Sequence, residues 1–369
     1  MKRLISLLLC ALLIIPALAE DAPDFEPIPW DIKVSPNLPN PDCYLPNNGG
    51  YHDDSIDIQI NVTYWTQDLQ QVDAPGEGTT TVMSARVKLT DVSQFRTGFA
   101  NKYPSKQARH VNDMTKRFNA VMGIDGDYCL YHEQGIVVRN GQTLRMRPHK
   151  GRDELIVDEN GDFHLITRTT QAKWDEYIAG GGTVLHAFCF GPALVVDGVP
   201  LTNLDDVTID NGKAKKAQRM VIGQIGKLEY LILTNEGPES TAPKSVGFDL
   251  VQMANLCVQF GLNNAYNLDG GSSSTIALNN QKINSPSSHK NRMVGDCIWF
   301  ATLVKEETWR EKESVQTVEV EEISEPRGAQ AIGRPAHLAF EANSPSRKRQ
   351  VQKNRDEVRK NVEAAMCAA

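Results

Sequence analysis

Four short segments gather the residue types that chemistry needs: IDGDY (Ile124 to Tyr128), FGPALVVDG (Phe190 to Gly198), QRMVIG (Gln218 to Gly223) and NLDGGSSST (Asn267 to Thr275). They hold the carboxylates Asp125, Asp127 and Asp269, the guanidinium of Arg219, and glycines and hydroxyls that can offer neutral donors. Asp269 ends LNNAYNLD, which reads as a strand, and the C-terminal end of a strand is where sites of the α/β type collect. It is the first candidate for a catalytic carboxylate, and Asp127 is the second. The Asp-Gly-Asp of residues 125 to 127 has the alternation that opens some calcium loops, but the other oxygen ligands of such a loop are missing, so no metal is expected. Taken singly, each segment is also explained as structure: a turn after a strand, a proline bend, a charged edge residue at Arg219, a glycine turn. His289, alone in a loop, reads as solvated surface.

The order of the four segments is more informative than any one of them. Together they resemble the phosphodiester glycosidase family, in which a strand ends in an I-N-G-D/G-F-F-like segment. G-P-x-L-x-x-D-G and R-x-x-I-G follow, and then a helix leads into A-x-N-L-D-G-G-G-S-S-T. This sequence carries IDGDYC, GPALVVDG, RMVIG and AYNLDGGSSST, with Arg292 ahead of the last apolar run. The resemblance runs from about Val82 to Val304, and its most specific part is N-L-D-G-G after a helix and a strand. Asp125 stands where the family has asparagine, Cys129 where it has an aromatic residue, and Ser272 where it has a third glycine.

The resemblance implies a hydrolase that splits the C1–O bond of a sugar-1-phosphodiester, with an N-acetylhexosamine in a surface polysaccharide or modified glycan as the expected substrate. The leaving group is then a phosphate monoester that departs as an anion, so a strong general acid is less necessary than in ordinary glycoside cleavage. On that reading the catalytic candidates are Asp269, Asp127 and Arg219. Asp269 activates water or shields an oxocarbenium-like centre, and Arg219 and Arg292 present forked, permanently charged donors to phosphate. The backbone N–H groups of Gly270 and Gly271 and the hydroxyls of Ser273 and Ser274 add neutral donors. Asn267 and Asp125 orient the carboxylate or bind sugar. No cofactor is implied. The alternative is a noncatalytic glycan-binding or exopolysaccharide-assembly protein using the same pocket, which the departures at Asp125, Cys129 and Ser272 favour.

The elements that must position these residues are legible in part. SIDIQINVTYW alternates at Ile56, Ile58, Ile60, Val62 and Tyr64, and TTTVMSARVKLTD at Met83, Ala85, Val87 and Leu89, the period of half-buried strands. GIVVRNGQTLR and DELIVDENGDFHLITR are strand-turn-strand units pivoting on Asn140-Gly141 and Asn160-Gly161. A helix is expected from Ser105 as cap, with Val111, Met114 and Phe118 on one face, and a short one around Trp174 and Tyr177. The clearest helix is FDLVQMANLCVQFG. It has Asp249 as cap, Gln252 completing a capping box, an apolar stripe of Leu250, Val251, Ala254, Cys257 and Val258, and a stop at Gly261. Many strands with few helices predict an α+β domain on a mixed or antiparallel sheet, phosphodiester glycosidase-like.

With 369 residues, of which 40% are hydrophobic, the chain can bury a large core, and its net charge of -7 argues against nucleic acid as a partner. MKRLISLLLCALLIIPALA has the charged, apolar and small-x-small parts of a secretory signal, so the mature chain is expected outside the cytoplasm with no membrane contact. The expected organisation is a signal peptide over 1–19, a Pro-rich arm over 20–54 carrying Trp30 and Tyr44, the phosphodiester glycosidase-like domain over 55–305, and a charged tail over 306–369. The scattered cysteines lack metal spacing and read as mostly buried apolar residues, with one or two bridges allowed.

Overall fold

Among the described residues, three antiparallel sheets surround one core. The computed structural model of the chain describes residues 37–205, 215–240, 244–285 and 291–310. The expected signal peptide, Trp30, His289 and the tail beyond Arg310 lie outside the described residues. The large, ten-stranded sheet runs, in spatial order, Tyr44–Leu45, Gly50–His52, Ile56–Trp65, Thr80–Leu89, Glu229–Asn235, Arg219–Gly226, Asn264–Asn267, Ala193–Val196 and Val199–Pro200, with Gln71–Val72 beside Ile56–Trp65. A second sheet is ordered Phe163–Ile166, Glu154–Val157, His186–Phe188, Gly135–Arg139 and Gln142–Arg147. A third is ordered Gln281–Lys282, Ile276–Leu278, Met122–Asp125, Asp296–Phe300 and Phe95–Phe99.

Each sheet gives one apolar face to the shared core and covers the other with a helix. Ile58, Val87 and Ile232 from the large sheet meet Leu155, Val157 and Phe188 from the second, and Met122, Ile124 and Ile298 from the third. Phe95, Tyr230 and Phe300 hold the centre edge to face, with ring centroids 5.2 Å (Phe95–Tyr230) and 5.5 Å (Phe95–Phe300) apart. On the outer faces, helix α1 (Val111–Phe118) sets Val111 and Met114 against Ala277, Cys297 and Trp299. Helix α2 (Gln171–Ala179) buries Trp174 against Ile136, Val138 and Ile156, and helix α3 (Leu250–Gln259) buries Leu250, Met253 and Leu256 against Val221, Leu233 and Leu194. This two-sided cover is why QRMVIG and YLILTN are apolar runs without alternation.

The fold is thus α+β and antiparallel, as the composition of elements predicts, with local differences. The sheet reaches back to Tyr44, whose hydroxyl donates to Val121 O at 3.3 Å, so part of the expected arm is an edge hairpin. Along Ile56–Trp65 the alternation fades: Ile56 and Ile58 are buried, but Val62 is exposed near the sheet edge. Helix α1 begins only at Val111, and Ser105 does not cap it. Arg109 is taken instead into a bridge with Val294, their N–H groups and carbonyls exchanging bonds at 3.0 and 2.8 Å. Asn140 and Gly141 form the expected tight turn, both in the left-handed region. The second hairpin is longer, because Asp158 Oδ1 accepts from Asn160 N and Asp162 N and widens the loop around Gly161. In α3 the capping box of Asp249 and Gln252 is present, while the buried stripe is rotated to include Met253 and Leu256 and leave Val258 exposed.

Candidate active site

The loop that leaves the strand Asn264–Asn267 is hydrogen-bonded to all three of the other segments. Asp269 N donates to Gly126 O of IDGDY at 3.1 Å. Asn267 donates from N to Pro192 O at 3.1 Å and from Nδ2 to Gly191 O at 2.9 Å, holding it to the GPAL segment. Leu268 N reaches Met220 O and Gly271 N reaches Gln218 O, both at 2.8 Å, on the RMVIG strand. Glycine is required here: Gly271 has φ 63°, and a Cβ on Gly270 would lie 3.0 Å from Gln218 O. Ser272, by contrast, lies in an ordinary 3-10 turn and is half-buried, so the fold accepts a side chain there.

Asp269 is half-buried at this junction. Burial pushes its carboxyl up to about 6, against the Ser273 hydroxyl, the positive charge of Arg292 and the N–H of Gly270, which favour the ionised form. Ser273 Oγ approaches without a well-formed hydrogen bond, and it is one of several buried polar atoms around the loop that have no partner. The others are Ser274 Oγ, Asn267 Oδ1 and Asp125 Oδ2. Such atoms are costly unless something polar meets them, and those of Ser273 and Asp125 bear directly on Asp269. Asp125 Oδ1 accepts from Thr275 N at 2.7 Å, and burial followed by the charge of Asp269 pushes Asp125 well above the usual carboxylate range. Arg292 is exposed, its guanidinium carbon 6.0 Å from the ring centroid of Tyr128. Tyr128 itself takes φ 60°, a left-handed conformation uncommon outside glycine, and stacks on Tyr131 at 4.6 Å.

Other candidates are engaged within the protein. Asp127 is fully buried: Oδ1 accepts from Arg139 Nη2 at 2.8 Å and Cys129 N at 3.2 Å, and Oδ2 from Cys189 N at 2.9 Å. Burial alone would raise Asp127, but the Arg139 guanidinium overrides it and holds the group well below the usual range. Arg139 Nη2 also bonds Asp296 Oδ2 at 3.2 Å, while burial and the charge of Asp127 push Asp296 up to about 7. Asp127, Cys129 and Asp296 are close enough together to suggest a metal centre, yet Arg139 Nη2 contacts all three, at 3.7 Å for Cys129 Sγ, and fills the cation position. Arg219 donates from Nη2 to Lys215 O at 2.6 Å and from Nε to Phe248 O at 3.4 Å. Burial lowers it to about 10, so it stays charged. The N–H groups of Gly270 and Gly271 face Asp269 and Gln218 O, within the loop rather than toward an open phosphate position. A cavity of about 120 Å³ lined by Lys215, Lys216 and Gln218 opens beside Gly271.

The phosphodiester glycosidase family model matches residues 118–301, the span that holds all four segments and Arg292. The chain belongs to the phosphodiester glycosidase family. No curated protein matches the sequence. Among solved structures, the chain is similar to the catalytic domain of zebrafish N-acetylglucosamine-1-phosphodiester alpha-N-acetylglucosaminidase, auto-inhibited by its pro-peptide. The identity there is 14% and the TM-score 0.52, over 69% of this chain and 86% of that one. It is also similar to a hypothetical protein from Synechocystis, at 13% identity and TM-score 0.44, over 68% of this chain and 62% of that one. A putative exported protein from Burkholderia pseudomallei gives 14% identity and TM-score 0.41, over 62% of this chain and 75% of that one. The zebrafish domain shows a shared fold.

Within this family member, the residues that sequence reasoning missed are Arg139, Asp296, Glu236 and Lys282. Arg139 and Asp296 do carry a signal, a lone charge at one end of each of the apolar runs GIVVR and DCIWF, which asks for a buried partner. Gly126 has no signal of its own: a Cβ there would sit 2.2 Å from Asp296 Oδ2. Lys282 Nζ donates to Ser274 O and Thr275 Oγ1, both at 3.2 Å, bracing the loop from beneath. Among the described residues the cysteines 43, 129, 189, 257 and 297 are free thiols.

Proposed function

We propose that this chain hydrolyses sugar-1-phosphodiesters at the C1–O bond, with Asp269 as the catalytic carboxylate. Water attacks C1, Asp269 takes its proton, and the C1–O electron pair leaves on the oxygen of a phosphate monoester, giving a free reducing sugar. Arg292 is the open cation for the phosphate, and the polar side chains of Asp125, Asn267, Ser273 and Ser274 are the candidates for binding sugar. The observation that carries this reading is the half-buried Asp269 carboxylate, on which the buried, unpartnered oxygens of Ser273 and Asp125 both bear. Asp127 supports the site through Arg139 rather than touching substrate, and Arg219 holds the loop at Phe248 and Lys215. The leader-like N-terminal sequence favours action outside the cytoplasm, on a surface glycan carrying N-acetylhexosamine; no helix of the described residues is long and apolar enough to cross a membrane.

The purified chain is expected to release reducing sugar and phosphate monoester in equal amounts from a methyl phosphodiester of N-acetylglucosamine-1-phosphate. Asp269→Asn lowers kcat by about 10²- to 10⁴-fold, the usual worth of a positioned base. An unchanged kcat would remove Asp269 from the chemistry. The glycan-binding alternative is favoured by one observation, that Asp127 and Arg219 are both engaged internally. Saturable binding with no product across several sugars would select it.

A further inference from the structure

Next to the Asp269 junction lies a groove of about 730 Å³ whose wall includes Tyr103, Lys106, Tyr131, His132, Arg145 and Arg147. In a chain with net charge -7, this wall carries three permanent cations against one acid, Glu133. Lys106 and Arg147 are exposed and have no carboxylate partner among the described residues. Arg145 serves as a staple. Its guanidinium donates to Cys129 O at 2.8 Å, His132 O at 2.6 Å, Gln134 O at 2.8 Å and Gly135 O at 3.1 Å, fixing the 129–135 loop while leaving its charge on the wall. Tyr131 is anchored by its hydroxyl, which donates to Lys106 O at 3.2 Å.

Tyr131 ties the groove to the site. It lines the groove and stacks on Tyr128, Tyr128 lies under Arg292, and the charges of Arg292 and Asp269 both bear on Tyr131. A volume of this size suits a ligand larger than one small diester, and cations interleaved with tyrosine rings suit a chain that offers both negative charge and the apolar faces of sugar rings. We propose that this groove is an extended subsite for an anionic glycan chain, so that the substrate is a polyanionic glycan gripped along Tyr131, Lys106 and Arg147. This rests on the hydrolase reading for its catalytic end, but binding in the groove does not require turnover.

The test uses phosphodiester-linked N-acetylglucosamine oligomers of increasing length, with neutral chito-oligosaccharides of matched length and the methyl phosphodiester as controls. With the full chain, kcat/KM rises roughly tenfold with length, through KM, and the gain shrinks as salt is added. Lys106→Gln/Arg147→Gln, at exposed positions outside the catalytic machinery, abolishes the length gain and leaves kcat/KM for the methyl diester within about twofold. Length-independent kcat/KM, equal binding of the neutral oligomers, or a double variant that keeps the gain would each overturn the groove. If nothing is turned over, direct titration still decides: tight binding of the anionic oligomer lost in the double variant keeps the groove and sinks the hydrolase reading. Turnover of the methyl diester without oligomer preference does the reverse.

Discussion

Asp125 illustrates how much a single buried oxygen can decide. Its Oδ1 accepts from Thr275 N, its Oδ2 has no partner, and the nearby Lys282 ammonium goes to Ser274 O and Thr275 Oγ1 instead. A carboxyl so placed keeps its proton, and then offers one donor and one acceptor, as the asparagine of the family pattern does. Asp125→Asn is therefore expected to keep hydrolysis within a few-fold, while Asp125→Ala loses about 10- to 100-fold by leaving partners unmet. The pH-rate profile separates the two aspartates. As the proposed base, Asp269 has to be ionised to accept a proton, so kcat/KM is expected to fall about tenfold per unit below about 6. In its proposed role Asp125 is protonated, so the native chain is expected to show an alkaline limb that disappears in Asp125→Asn. A limb that persists in that variant would assign it elsewhere. Sequence alone sees only that Asp125 departs from asparagine, and the missing partner on Oδ2 is what makes the departure conservative.

At the scale of elements, helix α3 was legible because its signals are local: Asp249 accepts from Gln252 N at 2.8 Å within one turn. Helix α1 was misplaced because the bridge that claims Arg109 comes from Val294, far along the chain. The end of the strand Glu229–Asn235 carries a second long-range effect. Glu236 Oε1 accepts from Ser285 N at 3.0 Å, Oε2 is buried without a partner, and burial pushes the group up to about 7 from an ordinary 4.5. The folded state thus holds this proton up to about pH 7, whereas the unfolded chain releases it near its ordinary value. Stability falls as pH rises through that window and is flat above it. Glu236→Gln is expected to be about 3 kcal/mol more stable than the native chain at pH 8, with the gain vanishing near pH 4. Urea denaturation at both pH values checks this, and a pH-independent difference would show that the carboxyl ionises freely.

The whole molecule depends on how its three sheets are joined under the site. Arg139 ends a strand of the second sheet, and its Nη2 bonds Asp296 of the third sheet and Asp127 in the loop just beyond that sheet's strand Met122–Asp125, with the guanidinium 4.4 Å from the Phe188 ring centroid. Removing it strands a buried carboxylate, so Arg139→Met should cost about 3–5 kcal/mol in denaturant unfolding. Arg139→Met/Asp127→Asn should recover part of that loss, since it removes the uncompensated charge. Equal losses in the single and double variants would mean that packing on Phe188, and not charge, is what Arg139 supplies.

The chain's own order of residues determined its inventory: the strands, the tight Asn140-Gly141 turn, the capped α3, the four segments and Asp269 among them. Those features follow from alternation, turn chemistry and capping, which act between near neighbours. Only the tertiary structure decided which of the charged groups are free. Asp127, Arg219 and the two glycine N–H groups are engaged inside, while Asp269 is half-buried and Arg292 exposed. The reason is that exposure and pairing are set by contacts such as Arg139 to Asp296, between residues 157 positions apart, and no short-range pattern encodes them.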